Sequence, residues 1–210
     1  MKTIILKINK RRPEPEKIRI AAEVLKRGGL VAFPTDTVYG LGADATNSKA
    51  VKKIYKVKKR PTSAPLPILI SEKSDLKKCA LHVPAKAKKL INKFWPGPLT
   101  IVLKKKKIIS DAVTAEKNSV GLRIPKNPVA LALIKALNRP LATTSANISS
   151  KQSPTTANEV KKYLNNKINL ILDGGKTKIG IDSTVLDCVA SPPIILRAGA
   201  IPLKNFKKII

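Results

Sequence analysis

The run EKIRIAAEVLKRGGLVAF, Glu16 to Phe33, decides the fold class. Ile18, Ala21, Ala22 and Leu25 recur at helical spacing, so Glu16 to Arg27 reads as a helix opened by Pro13 and Pro15. Gly28-Gly29 stops it. Leu30 to Phe33 is a short apolar strand ended by Pro34. Upstream, Thr3 to Ile8 alternates apolar and polar residues and reads as another strand. Strand, helix and strand in succession make up the unit of an α/β sheet.

The same alternation continues downstream. Ser48 is placed to cap a helix through about Lys56, and Leu66 to Ile70 reads as a strand. Pro84 opens a helix with the stripe Ala87, Leu90, Ile91 and Phe94, ended by Trp95-Pro96-Gly97-Pro98. Leu99 to Leu103 and Val120 to Ile124 read as strands flanking a lysine-rich excursion. Asn127-Pro128 opens a helix ending near Asn138. A strand over Leu141 to Thr144, a polar loop over Ser145 to Thr155 and a helix over Thr156 to Leu164 follow. Ile168 to Leu172, Ser183 to Val189 and Pro193 to Leu196 read as strands, with about one helical turn after Pro202. The consecutive late strands predict a mixed sheet rather than a purely parallel one. With no internal repeat or long linker, residues 1–210 read as a single domain.

Composition narrows the chemistry. Lys and Arg number 42 against 13 Asp and Glu, a formal charge of +29, which favours polyanionic ligands. Only eight of the basic residues are Arg, and the lysines spread along the whole chain, as a general compositional bias would place them. The dense run Lys104 to Lys107 reads as a solvated loop. No RNA-binding signature or basic–aromatic interleaving is present. Cys79 and Cys188 are isolated in sequence, which argues for reduced thiols and against a disulfide framework or a zinc site. The single histidine, His82, has no sequence neighbour to pair with, so a histidine-based mechanism is not indicated. No apolar run reaches membrane length and residues 1–9 lack a cleavage signal, so a cytoplasmic protein is expected.

Four polar segments lie at strand ends, where α/β sheets bind ligands. Pro34 to Gly42 offers threonines and a glycine pair in what reads as a loop. Lys58 and Arg60, two apart before Pro61, would share a face in an extended chain and could clamp phosphates. The same residues would equally suit a solvated turn. Thr143, Ser145 and Asn147, with Ser153 beyond, offer donors to phosphate oxygens or, alternatively, helix caps. Ser119, Arg123, Asp182-Ser183-Thr184 and Arg197 form the fourth group, with Arg123 suited to a carboxylate. There is no Walker motif, no GxGxxG and no HExxH. Reaction by positioning, with cations and Mg²⁺ stabilising phosphoryl transfer, is the chemistry left.

In order along the chain, Pro34-Thr-Asp-Thr-Val-Tyr-Gly-Leu-Gly42, Lys58-Lys-Arg60-Pro61, Phe94-Trp-Pro-Gly-Pro-Leu-Thr100 and Val120-Gly-Leu-Arg-Ile-Pro125 resemble the motifs of the YrdC-like family, the threonylcarbamoyl-adenylate synthases. Ser145-Ala-Asn147 with Ser153-Pro-Thr155, Asp182-Ser-Thr-Val185 and Ile195-Leu-Arg-Ala-Gly199 complete the set. The resemblance implies a twisted mixed sheet with flanking helices around a large basic cavity, the YrdC/RibB-like fold. It implies synthesis of threonylcarbamoyl-AMP and pyrophosphate from L-threonine, bicarbonate and ATP with Mg²⁺, without a permanent cofactor or a metal-ligand set in the protein. A separate transferase complex would carry the group to tRNA.

By resemblance, Lys58 and Arg60 are the catalytic cations. Lys56, Lys58, Arg60, Ser119, Ser145, Asn147, Ser153 and Arg197 would bind ATP. Thr35, Arg123, Thr143 and Ser183 would bind threonine, with Arg123 on its carboxylate. The sequence departs from the family at Leu69, where a histidine is common, and at Thr144, where a proline commonly stands. An apolar pocket discriminates a hydroxyl by about a hundredfold at best, so leakage of serine is an expectation tied to Leu69. Longer relatives carry a linker and a second domain; this chain resembles the single-domain form. A different class of reading is an RNA-binding or ribosome-maturation factor with a basic concave face, whose affinity would fall steeply with salt.

Overall fold

The structure, a computed structural model, describes residues 2–206. Its strands are β1 (Ile4–Lys7), β2 (Val31–Pro34), β3 (Tyr39–Asp44), β4 (Ile68–Leu69), β5 (Leu99–Lys104), β6 (Ser119–Arg123), β7 (Leu141–Ser145), β8 (Leu170–Asp173), β9 (Thr184–Asp187) and β10 (Ile194–Arg197). The helices are α1 (Pro15–Lys26), α2 (Ser48–Lys58), α3 (Leu76–Cys79), α4 (Ala85–Phe94), α5 (Asp111–Thr114), α6 (Pro128–Leu137) and α7 (Ala157–Leu164). All strands join one sheet in the order β1-β8-β2-β3-β7-β4-β6-β5-β9-β10. Pairs β1/β8, β2/β8, β4/β6 and β5/β9 are parallel, and the others are antiparallel, so the expected mixed sheet is present.

The sheet separates two cores. On one face Leu41, Ile54, Leu66, Ile68, Ile101 and Leu122 belong to a large cluster with residues of α2, α4 and α7. On the other, α1 and α6 cover Val31, Phe33, Leu69, Leu141 and Leu172. Those two helices shield only the β1 side of that second face. Alternation along β5, β6 and β7 puts Thr100, Val102, Gly121, Arg123 and Thr143 on the same face beyond the helices. There the sheet is uncovered, and the cavity forms.

Several boundaries differ from the sequence reading. The second half of the expected Pro34 to Gly42 loop instead opens β3, Tyr39–Asp44, a central strand antiparallel to both β2 and β7. Its glycines misled the expectation, because glycine weakens an isolated strand. Here a Cβ on Gly42 would stand 2.9 Å from the Phe33 ring and 3.0 Å from Leu141, so neighbouring side chains fill the space that β3 leaves. The cap of α2 is Asn47, whose Oδ1 accepts from the Ala50 amide, rather than Ser48. That helix runs on to Lys58 and ends at Lys59 in the left-handed region, φ 53°. Residues 73–79 carry helical turns that the sequence did not announce, and α5 lies within the lysine-rich excursion. The last turn covers Leu203–Asn205; residues 207–210 of the tail lie outside the described residues.

Cys79 and Cys188 are free and buried. Burial pushes their thiols up to about 11 and about 12 respectively, with nearby Asp75 and Asp187 adding to the effect. A buried protonated thiol is a poor nucleophile. Native protein at pH 8 is expected to react with an aromatic disulfide reagent at least about tenfold more slowly than urea-unfolded protein. Equal rates would show that these thiols are accessible. His82 is exposed.

Candidate functional site

A cavity of about 400 Å³ opens on the uncovered half of the sheet. Its floor is a row across four strands: Gly121 of β6 pairs with Val102 of β5, and Thr100 pairs with Val185 of β9, which in turn pairs with Arg197 of β10. The wall carries the cations Lys58, Arg60, Arg123, Lys151 and Arg197 and, among the described residues, one carboxylate, Asp182. That balance suits a polyanion.

Arg123 is 6% exposed and fully oriented by its neighbours. Its Nε donates to the Gly97 carbonyl at 3.0 Å, Nη1 to Thr37 Oγ1 at 3.1 Å and Nη2 to Asp36 Oδ1 at 2.7 Å. The Trp95-Pro96-Gly97-Pro98 turn thus supplies an acceptor for a side chain distant in sequence. Burial pulls the guanidinium below its ordinary value, and Asp36 opposes that pull. Asp36 Oδ1 also accepts from the Lys126 amide at 3.0 Å, while its Oδ2 is buried without a partner.

The threonine hydroxyls form a directed chain. Thr35 Oγ1 donates to the Val38 carbonyl at 2.7 Å, which uses its one proton. The 2.9 Å contact between Thr35 and Thr37 hydroxyls is therefore donated by Thr37, which in turn accepts from Arg123. Thr35, Thr37 and Arg123 hold one another, and each still lines the cavity.

A second network centres on Lys58, 1% exposed at the end of α2. Its Nζ donates to the carbonyls of Ser145 and Asn147, and to Asn147 Oδ1 at 3.2 Å. Burial and then Arg60 pull this ammonium down to about 7, while Asp182 pulls it up. Three acceptors ring the nitrogen, and only the ammonium form supplies three donors. Arg60 donates to the carbonyls of Ala64 and Pro65. Burial lowers it, and the charge of Arg197 lowers it further. Arg197 donates to the Ser183 carbonyl at 2.8 Å and to its hydroxyl at 3.0 Å, and that hydroxyl also contacts Thr100 Oγ1 at 2.9 Å. A guanidinium whose charge a neighbouring guanidinium disfavours, as Arg197 does that of Arg60, gains from an anion beside it.

The family model described as "Telomere recombination", covering the Sua5, YciO and YrdC proteins, matches residues 23–199. The chain belongs to this Sua5/YciO/YrdC family. It is 46% identical over 208 residues to the threonylcarbamoyl-AMP synthase of Pyrococcus abyssi, covering 99% of this chain and 61% of that protein. A putative threonylcarbamoyl-AMP synthase of Methanocaldococcus jannaschii is 40% identical, with 99% of each chain covered. The crystal structure of P. abyssi Sua5 complexed with L-threonine superposes with a TM-score of 0.96 at 46% identity, over 99% of this chain and 61% of that one. The chain thus spans about three fifths of the length of the Pyrococcus relative.

Most residues predicted from the family motifs meet in the cavity. Thr35, Lys58, Arg60, Arg123, Thr143, Ser145, Asn147, Ser153, Ser183 and Arg197 all line it. Lys56 does not. It lies exposed on α2, about 200° around the helix from Lys58. Ser119 is on the cavity face of β6 but two residues beyond Gly121, where it pairs with Lys104 outside the wall. The extended geometry expected for Lys58 and Arg60 is also absent. The left-handed Lys59 turns the chain between them and brings both side chains to one wall. Leu69 and Thr144, where the sequence departs from the family, both line the cavity.

Sequence reasoning passed over Asp36, Thr37 and Lys151 as site residues and gave Asp182 no role. Asp36 and Thr37 stand inside a quoted motif, but only the fold shows that they face Arg123. Asp182 Oδ2 accepts from Ser153 at 3.2 Å, and its backbone carbonyl accepts from the Ala200 amide at 2.9 Å. Gly199 makes that approach feasible, since a Cβ there would stand 2.5 Å from the Asp182 carbonyl oxygen and 2.6 Å from the Ser183 carbonyl carbon. Gly199→Ala is expected to cost about 1–3 kcal/mol of stability and to displace Ser183. An unchanged urea midpoint would show that residues 199–200 can move away freely.

Proposed function

We propose that this chain is an L-threonylcarbamoyladenylate synthase. The observation that carries the proposal is the pairing of a buried, fully oriented Arg123 with a wall of further cations in one 400 Å³ cavity. Arg123 suits one carboxylate, and the remaining cations suit a polyphosphate. The similarity to synthases, one of them crystallised with L-threonine, supports the same reading.

Threonine's amine and bicarbonate combine, with loss of water, to a carbamate. A carbamate oxygen then attacks the α-phosphorus of ATP as the bond to the β-phosphate oxygen breaks, releasing pyrophosphate. Nε, Nη1 and Nη2 of Arg123 each spend a hydrogen bond on the protein, which leaves one N–H on each Nη for the threonine carboxylate. Thr143 and Ser183 flank the amino acid. Arg60, Arg197, Ser145 and Ser153 hold the nucleotide. Lys58 and Asn147 fix the loop on which Ser145 stands, and Lys58 adds a positive charge to that wall. The work is positioning and charge stabilisation, with no covalent enzyme intermediate.

No group of three or more His, Cys, Asp or Glu could hold a metal among the described residues. Among the described residues Asp182 is the one carboxylate lining the cavity, which fits Mg²⁺ carried by the nucleotide phosphates. Such an ion would offset the charge that develops on the leaving pyrophosphate. No helix among the described residues is long and apolar enough to cross a membrane. The product would pass to a separate transferase acting on tRNA.

Pyrophosphate release from the purified chain tests the reading. Release is expected to require ATP, Mg²⁺, L-threonine and bicarbonate together, with a product of the mass of threonylcarbamoyl-AMP. A folded protein that releases none would redirect attention to the RNA-binding reading and to salt-dependent RNA titration.

A further inference from the structure

Asp182 stands in a wall otherwise built for anions. Lys58, Arg60, Arg123, Lys151 and Arg197 line the cavity with it, yet no ion pair among the described residues uses its carboxylate. It is therefore not the structural counter-ion of any of them. Its Oδ2 accepts from the Ser153 hydroxyl at 3.2 Å, while Oδ1 accepts from no described residue and is not buried. A carboxylate so placed weakens the hold on a polyanion by charge alone, so its presence needs a reason.

The backbone on both sides of Asp182 is fixed. The Ile179 amide donates to the Asp36 carbonyl at 3.1 Å and the Gly180 amide to the Thr37 carbonyl at 2.8 Å, which ties the approach to Asp182 onto the loop that orients Arg123. The Ala200 amide holds the Asp182 carbonyl at 2.9 Å. The carboxylate is near enough to both Lys58 and Arg123 that its charge strengthens their hold on their protons. An α-amino acid carries its carboxylate and its ammonium on one carbon, so a site that takes the first on Arg123 has the second close by. Among the charged groups of threonine, bicarbonate and ATP, that ammonium is the one cation. Asp182 is the one carboxylate among the described residues of the wall that could meet it.

We propose that Asp182 is a catalytic residue, the general base that takes a proton from the threonine ammonium so that carbamate forms inside the cavity. The proposal rests on the synthase reading for the identity of the substrates. An N–H bond of the ammonium breaks and its proton passes to Asp182 Oδ1. The freed nitrogen lone pair forms a bond to the bicarbonate carbon. The bond from that carbon to the bicarbonate hydroxyl breaks, and the hydroxide leaves as water with a second proton from the nitrogen. Oδ1 returns the first proton to solvent. An ammonium has no lone pair to attack with, so a positioned acceptor matters most where the amine is protonated.

The test is kcat for adenylate synthesis by the full chain and by Asp182→Asn across pH, at saturating threonine, bicarbonate, ATP and Mg²⁺. Asparagine keeps an acceptor for Ser153 but cannot take the proton. The variant is expected to be slower by about a hundredfold at about pH 6.5 and to come within about threefold of the unaltered chain at about pH 9, where free amine is supplied by the solution. Asp182→Glu is expected to keep the unaltered profile. A role through charge alone has the opposite sign. Of the groups around Asp182, the arginines stay charged through this range, Asp36 is the partner of Arg123, and burial pushes the Tyr39 phenol up, which leaves the lysines. Lys58 lies at about 7 and Asp182 pulls it up, so losing that charge would lower it further. The deficit would then be absent in acid and grow as the pH rises. That pattern, an unchanged rate in Asp182→Asn, or a deficit erased by more Mg²⁺ would each overturn the proposal. An active chain with any of these outcomes removes the base assignment alone, whereas an inactive unaltered chain removes the synthase reading and the assignment with it.

Discussion

Lys58→Ala is expected to lower threonylcarbamoyl-adenylate formation at least about a hundredfold while the protein stays folded. The side chain is the common donor to the Ser145 carbonyl, the Asn147 carbonyl and Asn147 Oδ1. Its removal strands these acceptors, at a cost of about 1–3 kcal/mol for each that finds no water. Residues 145–151 then lose the pin that closes them on α2, and Ser145 loses its position in the cavity wall. A misplacement of about 1 Å is enough for a hundredfold loss. The two hydrophobic clusters do not depend on the ammonium group, so circular dichroism and a cooperative melt should persist. Arg60→Ala is expected to act in the same direction, through loss of charge rather than loss of loop order. Pyrophosphate release at full rate in both variants would remove the phosphate wall from the mechanism.

The second large effect is expected at Arg123. Arg123→Ala should raise the threonine requirement by about thirtyfold or more, as truncating one partner of a buried charge pair does, with a milder loss of ATP binding. It also strands Asp36, whose Oδ1 would keep only the Lys126 amide and whose Oδ2 has no partner already. Breaking such a buried pair costs about 3–5 kcal/mol of stability. The two consequences separate in the double variant Asp36→Asn/Arg123→Ala, which no longer buries an unpaired charge. Stability should recover in part, and threonine dependence should stay poor. If threonine dependence is unchanged in Arg123→Ala, the arginine does not hold the carboxylate.

Much of this was legible in the residues alone. The helical stripe of α1, the Pro128 start of α6 and the short apolar runs of β2, β7 and β8 have local causes, and each lies within a residue or two of its expected place. The ordered motifs also named ten of the residues that line the cavity, because hydroxyls and arginines placed at strand ends are a pattern readable along the chain. Lys56 and Ser119 were carried along by motif and stand outside the wall, since a side chain's direction is set by helix phase and strand register.

By itself the sequence determined the α/β class, the mixed sheet, the family and the cationic make-up of the site. All of these follow from periodicity, residue type and order. Tertiary structure alone decided that the glycine-bearing segment Tyr39–Asp44 is a central strand, because the rings and methyls of Phe33 and Leu141 that fill its gaps come from other strands. It decided likewise that Asp36 aims Arg123, and that Lys58 donates to the carbonyls of Ser145 and Asn147. Those contacts join residues 87 and 89 positions apart, and no local signal carries the direction in which a buried donor finds its acceptor.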